Sequence, residues 1–364
     1  MSPNDGAPIT LNNLCVGDDQ PRGRFASQTF GGYRVSIVDD YAERVKRLSR
    51  NARRIGKEFH EARKGGWEAT ATAYAIEGHR EKSLWLMEEL DDGGIWDLCE
   101  LLTFVSGRRV TTNDLLDRFN PGPYSEPCCS DMEVLPTAAA AWEKRSALVE
   151  RDVVYALAYY NEALSIRLLP ALGALYCSAL NILADSLVDS YSASVSKTAR
   201  RLAIDAVKAV LTSLQGVTEE ERGALIGTAI NAITQGPSPM NARLTQLLID
   251  HGVVPSESNT VVKDRIRYVM AARNWHAHGR LRSIAGLSIE QANRFAQVAT
   301  TSVVPSIIRL VIGRLLGFTE NGHGARSQLA AAALRKFFAT GKWHDWDISV
   351  ESFQAYFDRL GEQD

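Results

Sequence analysis

Helical patterning over the C-terminal two thirds of the sequence most constrains the fold. From Thr137 onward, no segment shows the alternation of apolar and polar residues that is typical of a strand. Proline and glycine clusters divide this part of the chain into separate helices, because both residues end helices. The pattern predicts helices over residues 138–169, 171–189, 196–214, 241–250, 260–278, 288–316, 325–339 and 349–360, one more helix opened by a capping box at Thr218, and a loop over 343–347.

The N-terminal third has a mixed pattern. Residues 33–38 alternate and residues 67–76 are rich in threonine and aromatics, so both segments are predicted strands. Apolar residues at helical spacing predict helices over 41–59 and 95–105. The predicted fold class is therefore α+β overall. Its predicted parts are an extended or disordered lead (1–24), a small α+β domain (25–125), a Pro/Gly-rich boundary between about 118 and 137, and an all-α domain (137–364).

Composition narrows the class of protein. The net charge is −2 over 364 residues, so a nucleic-acid site has to be local. The cysteines are scattered, which fits a reducing compartment better than a disulfide framework. No apolar run is long enough to span a membrane, and residues 1–24 lack the apolar core of a signal peptide. We therefore expect a soluble, cytoplasmic protein without a membrane segment.

One stretch, residues 264–279, concentrates groups that suit a phosphodiester. Its apolar and arginine positions follow helical spacing, and Gly279 can adopt the left-handed conformation that ends a helix. The last predicted turn carries Arg273, His276 and His278. The surrounding arginines, which we interpret as RNA-binding candidates, are Arg265, Arg267, Arg280 and Arg282.

Arg273-Asn274-x-x-x-His278 resembles the RNxxxH motif of the HEPN superfamily. The resemblance implies an all-α HEPN-like bundle over about 145–317 that forms a homodimer. It also implies a metal-independent endoribonuclease with RNA as substrate. The biological role that it implies is that of a toxin or antiphage defence effector, with an antitoxin or a phage-derived activator as partner. The alternative is a catalytically silent HEPN-fold scaffold that binds a protein or RNA. Neither reading calls for a cofactor or a metal.

The chemistry of RNA cleavage predicts roles for individual residues of this stretch. Cleavage by the 2′-hydroxyl needs a proton-transfer group, which His278 supplies, and a cation for the phosphorane charge, which Arg273 supplies. The family pattern gives Asn274 a supporting role. On a regular helix His276 lies about 60° from Arg273 and His278 about 140° away, so His276 remains an alternative proton-transfer group.

Other polar features leave alternatives open. One helix face is either solvated, or tracks the phosphates of RNA, or contacts an acidic partner; its residues are Arg47, Arg50, Arg54 and Lys57. Arg108 and Arg109 follow a predicted helix end and are either substrate contacts or cations that the helix end attracts without any ligand. Cys128-Cys129 allows a redox or metal role, but no other ligand stands at a useful spacing. Asn181 and Asp185 are candidates for polar support on the second long helix.

Overall fold

The computed structural model describes residues 6–55, 66–78, 81–85, 93–116, 118–119, 128–166, 168–188, 197–235, 239–255, 265, 269, 298–318, 325–340, 342–343 and 346–347. Within these ranges an antiparallel sheet near the N-terminus precedes a largely helical part. The predicted α+β fold class is therefore confirmed. No helix within these ranges combines the length and the apolar character that crossing a bilayer requires.

The sheet is antiparallel with strand order β2-β3-β4-β1-β5. In β3, Tyr33, Val35 and Ile37 are buried and alternate with half-buried residues, which is why this segment forms a half-covered strand. The predicted strands over 33–38 and 67–76 are confirmed as β3 and β4. The strand bounds are Ile9–Asn12 (β1), Ser27–Phe30 (β2), Tyr33–Ile37 (β3), Ala69–Ala75 (β4) and Thr111–Thr112 (β5).

Residues 1–24 were predicted to form an extended or disordered lead, but the described residues 6–24 include a strand of the sheet. Strand β1 lies between β4 and β5, with Leu11 opposite both Ala71 and Thr112. The segment after it is also anchored, because the hydroxyl of Tyr41 donates to the Gly17 carbonyl at 2.7 Å. Only four residues form this strand, and its partners are distant in sequence, so a local pattern is too short to identify it.

The helices that pack around the sheet form one continuous core. Helix α2 contacts both α3 and α5, α3 contacts β2, and α5 packs most extensively on α6. Among the described residues, the expected boundary between 118 and 137 therefore does not separate two cores. The helix bounds in this part are Tyr41–Ile55 (α1), Gly94–Ser106 (α2), Val134–Trp142 (α3), Ser146–Glu150 (α4), Val154–Ser165 (α5) and Leu169–Leu187 (α6).

The single long helix predicted over 138–169 is wrong, because this region contains three helices, α3, α4 and α5. One break lies at Asp152, whose φ of 55° is in the left-handed region. Aspartate tolerates this conformation better than most residues, since its short side chain can form local hydrogen bonds. The break contains neither glycine nor proline, which explains why the sequence pattern did not reveal it.

Two helices form a hairpin next to this body. Helices α7 (Lys197–Thr212) and α8 (Glu219–Gln235) pack on each other. The capping box predicted at Thr218 is confirmed: the Glu221 carboxylate accepts from the Thr218 backbone N–H at 2.9 Å, and the Thr218 hydroxyl accepts from the Glu221 backbone N–H at 3.3 Å.

The last described elements are helical apart from one small hairpin. Helix α9 (Pro239–Asp250) contacts α6, and a π-helical turn (Ala299–Val303) leads into α10 (Val304–Leu315), which packs on α6 and on α11 (Ala325–Thr340). The change of helix type lies directly before Pro305, where a kink was predicted. The expectation of only a loop over 343–347 is wrong, because β6 (Lys342–Trp343) pairs with β7 (Trp346–Asp347).

Candidate functional site

The structure describes two residues of the stretch 264–279, Arg265 and Val269, and both are helical. The other predicted site residues lie outside the described residues; they are Arg267, Arg273, Asn274, His276, His278, Arg280 and Arg282. Their proposed roles therefore remain predictions. The predicted helix over 349–360 also lies outside the described ranges.

Arg265 is held by a structural contact. Its guanidinium Nη1 donates to the carbonyl of Phe338, which lies in the last turn of α11. Carbonyl groups in this position lack a partner within their own helix and attract cations. The side chain is half-buried. Arg265 was predicted to bind RNA, and the structure adds an anchoring role that fixes the stretch to α11.

Val269 places the stretch within the hydrophobic core. Its side chain has 0 % exposure and belongs to the same buried set as Phe337 and Phe338 of α11. Residues four positions apart share one face of a helix, so Arg265 and Val269 lie on the face that contacts the body. The stretch is therefore supported by packed helices at both of its described positions.

Other arginines near this region also bind backbone carbonyls at helix ends. Arg314 of α10 donates to the carbonyl of His251, and Arg335 of α11 donates to that of Gly252 at 3.5 Å. Burial, followed by the nearby Arg314 charge, lowers the pKa of His251 to about 4. His251 is therefore a neutral imidazole at neutral pH, and it is a histidine that the sequence patterns did not single out.

Two further sequence features are ion-paired. On α1, Nε and Nη2 of Arg47 donate to the two carboxylate oxygens of Glu68, at 2.9 and 3.1 Å. This favours the solvated-face interpretation for Arg47, whereas the side chains of Arg50, Arg54 and Lys57 lie outside the described residues. Asp185 of α6 pairs with Arg243 of α9, so it joins two helices.

Arg108 and Arg109 cannot act as a surface contact for RNA, because they are only 7 % and 4 % exposed. Arg109 Nη2 lies 2.7 Å from Glu100 Oε1, and its guanidinium stacks over the Phe119 ring with Cζ 3.7 Å from the centroid. Asn161 Nδ2 donates to Glu100 Oε2 at 2.6 Å. Together these residues form a buried polar cluster that joins α2 to α5.

The buried polar cluster was missed from sequence. Its signals are charged or polar residues inside apolar helices, namely Glu100 in α2 and Asn161-Glu162 in α5. Burial raises the pKa of Glu162, the Arg109 charge opposes this, and the Glu100 charge adds to it. Arg109 and Asn161 both contact Glu100, whereas Arg109 Nε and Asn161 Oδ1 are buried without a hydrogen-bond partner. The contacts between the members join α2 to α5, which is a packing role.

The vicinal pair Cys128-Cys129 is buried next to the same core. Burial raises the pKa of each thiol to about 12. Since the thiolate is the nucleophile and the metal ligand, these thiols are unreactive at neutral pH. Within the described ranges, no group of histidine, cysteine and acidic residues has the geometry to hold a metal ion.

Comparisons with known proteins give no identification: the sequence matches no family model, no curated protein and no solved structure. The functional conclusion therefore depends on the residues of this chain and on their contacts.

Proposed function

We propose that this chain is a metal-independent endoribonuclease that uses the stretch 264–279 as its active site. The observation that carries the proposal is Arg273-Asn274-x-x-x-His278 on a stretch whose described residues are helical and packed against the body. Firm support of this kind matters, because catalytic groups need to be held close to their productive geometry. The resemblance to HEPN proteins gives the reaction class.

The reaction needs only groups that this stretch contains. The 2′-oxygen attacks the neighbouring phosphorus, and the bond from phosphorus to the 5′-oxygen breaks. His278 takes the proton of the 2′-hydroxyl, and the imidazolium that forms delivers this proton to the departing 5′-oxygen. Arg273 binds the phosphate oxygens through its planar guanidinium as negative charge develops there. The products are a 2′,3′-cyclic phosphate and a 5′-hydroxyl.

The biological setting follows from the same resemblance. We propose a cytoplasmic toxin or antiphage effector that acts as a homodimer and is controlled by an antitoxin or a phage-derived activator. A two-fold dimer brings two copies of the stretch together, so Arg273 of one copy can act with a histidine of the other. This arrangement removes the requirement that both residues share one helix face.

A cleavage assay with mixed RNA in excess EDTA tests the proposal. Arg273→Ala and His278→Ala should each reduce cleavage by about 10²–10⁴-fold. Arg273→Lys should also be impaired, because an ammonium lacks the bidentate geometry. Arg151→Ala, at an exposed arginine outside the stretch, is the matched control and should retain activity. A substrate with 2′-deoxynucleotides should remain intact, since it lacks the nucleophile.

The outcomes separate the possible readings. Loss of activity in His276→Ala but not in His278→Ala would transfer the proton role to His276. Cleavage of the deoxynucleotide substrate would contradict the 2′-hydroxyl mechanism. No cleavage by soluble wild-type protein, together with no toxicity in cells under phage challenge, would favour the silent scaffold.

A further inference from the structure

The α7–α8 hairpin differs from the other helices because the rest of the described chain covers little of it. Among the described side chains of α7 and α8, every one is exposed or half-buried. The half-buried apolar residues of α7 are Ile204, Val207 and Leu211, whose spacing puts them on one face. This is the face that the contact with α8 covers, because α8 is the described element on which α7 chiefly packs.

A second apolar face of α7 remains in solvent. Leu202, Ala206 and Val210 are spaced four residues apart and continue to Leu214 just beyond the helix end, so they form one ridge. We name these four residues the α7 ridge. Leu202, Val210 and Leu214 are 65 %, 62 % and 38 % exposed. Large apolar side chains in a continuous exposed row mark interaction sites.

The α7 ridge is nearly symmetrical. When it is reversed about its centre, Leu202 lies opposite Leu214, and Ala206 lies opposite Val210. A two-fold axis at that centre therefore places large residues against each other at the ends and a small residue against a medium one in the middle. An isologous interface needs this self-complementarity, because the same surface has to fit its own copy.

The charges of the hairpin specify the direction of pairing. The sequence of α7 begins with Lys197, Arg200 and Arg201 in its first five positions, and α8 begins with Glu219, Glu220 and Glu221 at the opposite end of the hairpin. Basic residues are unfavourable at the positive N-terminal end of a helix, so those of α7 gain from an acidic neighbour. An antiparallel second copy brings its glutamates to this end.

We propose that the α7 ridge is a homodimer interface, on which the α7–α8 hairpin of a second copy packs in the antiparallel direction. The basic start of each α7 then lies beside the glutamates of the partner's α8. The ridge lies outside the stretch 264–279, and its test does not use RNA. This inference rests on the proposed homodimer and assigns its interface, so a monomeric wild type would contradict both. RNA cleavage tests the ribonuclease chemistry separately, and a dimer that Val210→Glu leaves intact would contradict the ridge alone.

The interface is tested by sedimentation of the full chain over a micromolar concentration series. Wild type should be a dimer, and Val210→Glu should raise the dimer dissociation constant at least about a hundredfold, because each dimer places two such charges in an apolar contact. Leu168→Glu is the matched control: Leu168 is 68 % exposed but lies outside the hairpin, so this variant should dimerise like wild type. Circular dichroism checks that each variant is folded.

Charge reversal tests the antiparallel direction. Arg201→Glu and Glu220→Lys should each weaken the homodimer, because each creates two like-charge contacts per dimer. Mixing the two variant proteins should restore a heterodimer, since its two contacts are again between opposite charges. A contact within one chain cannot be rescued by mixing, so this experiment remains decisive even where Val210→Glu disturbs folding.

Three results would overturn the proposal. The first is a wild-type protein that stays monomeric throughout the series. The second is a dimer that Leu168→Glu dissociates and Val210→Glu does not, which would place the interface elsewhere. The third is a mixture of Arg201→Glu and Glu220→Lys that remains as weak as its components, which would exclude the antiparallel arrangement.

Discussion

Helices α5 and α6 and helices α7 and α8 form two pairs with different surroundings. The first pair buries large side chains such as Tyr160, Leu164, Tyr176 and Leu180, and it contacts α2, α9 and α10. The second pair has no buried side chain among its described residues. Apolar residues at helical spacing occur in both pairs. The number of neighbouring elements therefore decides whether an apolar face becomes core or remains a surface, and the sequence of the helix alone does not.

Removal of Trp142 should give the largest difference between the two regions. Its side chain has 0 % exposure, and its ring lies edge-on to Phe30 at 6.2 Å and beneath the Arg145 guanidinium at 4.0 Å. Trp142→Ala should lower the free energy of unfolding by about 3–5 kcal/mol, because it leaves a cavity between the sheet and the helices. Denaturant unfolding measures this.

Leu225 of α8 is the matched position for that comparison, because it is 45 % exposed. Leu225→Ala should change the free energy of unfolding by less than about 0.5 kcal/mol. Equal losses for Trp142→Ala and Leu225→Ala would show that the hairpin is as well packed as the body. Trp142→Phe should fall between them, since it retains an aromatic ring.

Loss of a charge from the buried polar cluster should have the next largest effect on the free energy of unfolding. Arg109→Met should lower the free energy of unfolding by about 3 kcal/mol or more, because it leaves the half-buried Glu100 without its cation. The double variant Arg109→Met with Glu100→Leu should recover much of this loss, since no unpaired charge remains. On α8, Glu219 is 92 % exposed in its pair with Arg222, so Glu219→Gln should not measurably change the free energy of unfolding of the monomer. A lack of recovery in the double variant would show that shape rather than charge makes Arg109 important.

The stability contributed by the body around α2 should fall as the pH rises, whereas that contributed by the start of α8 should fall as the pH decreases. Burial raises the pKa of Asp97 from 3.8 to about 6, although Ser83 donates to its carboxylate at 2.6 Å. When folding raises the pKa of a group, that group stabilises the fold fully at a pH below its pKa in the unfolded chain. This stabilisation is lost as the pH rises through its pKa in the folded protein. Asp97 should therefore reduce the free energy of unfolding by up to about 3 kcal/mol between pH 4 and 6.

Asp97→Asn isolates this effect. The variant should be less stable at pH 4, because an amide nitrogen cannot accept a hydrogen bond from the Leu84 N–H as a carboxyl oxygen can. Its stability should then lack the decline that Asp97 causes between pH 4 and 6. Unfolding curves for both proteins across this range measure the difference, and parallel pH profiles would contradict a carboxyl that titrates within the fold.

Removal of the cap of α8 should have the smallest effect on stability, and its pH trend should be opposite to that of Asp97. Thr218→Ala should cost about 1 kcal/mol of hairpin stability, because it removes the capping box. Hydrogen bonds from Thr218 lower the pKa of Glu221, so its contribution is present above the usual glutamate pKa and is lost as the pH falls. Hydrogen exchange within α8 should report this local loss, and unchanged exchange would show that the cap does not limit opening.

Elements were predictable from the sequence where the local pattern was long or where a residue such as glycine marked the end of the element. Strand β4 and helix α2 were predicted, and α2 ends at Gly107, whose φ is 68°. Prediction failed where distant partners or unusual backbone decided the result. Strand β1 needs partners from β4 and β5, and the break at Asp152 depends on one left-handed residue.

In the candidate site, too, features with a local pattern were predictable and contacts between distant residues were not. The sequence identified the stretch 264–279 from residue types and spacing, and the anchoring of Arg265 to Phe338 could not be predicted, since it joins residues 73 positions apart. The buried polar cluster was equally hidden, because Arg109, Glu100 and Asn161 belong to three separate segments. Spacing along one helix predicts shared faces, whereas contacts between helices require the fold.

The position of β1 in the sheet has a consequence for the order of synthesis. This strand leaves the ribosome before both of its neighbours, which are β4, ending at Ala75, and β5, ending at Thr112. Until both have emerged, the backbone groups of Ile9–Asn12 lack their sheet partners, so the nascent chain carries an unpaired strand while later helices are already forming. Completion of the sheet thus has to wait until β5 has emerged, and the interval before it is when a chaperone that shields strand edges would be most useful.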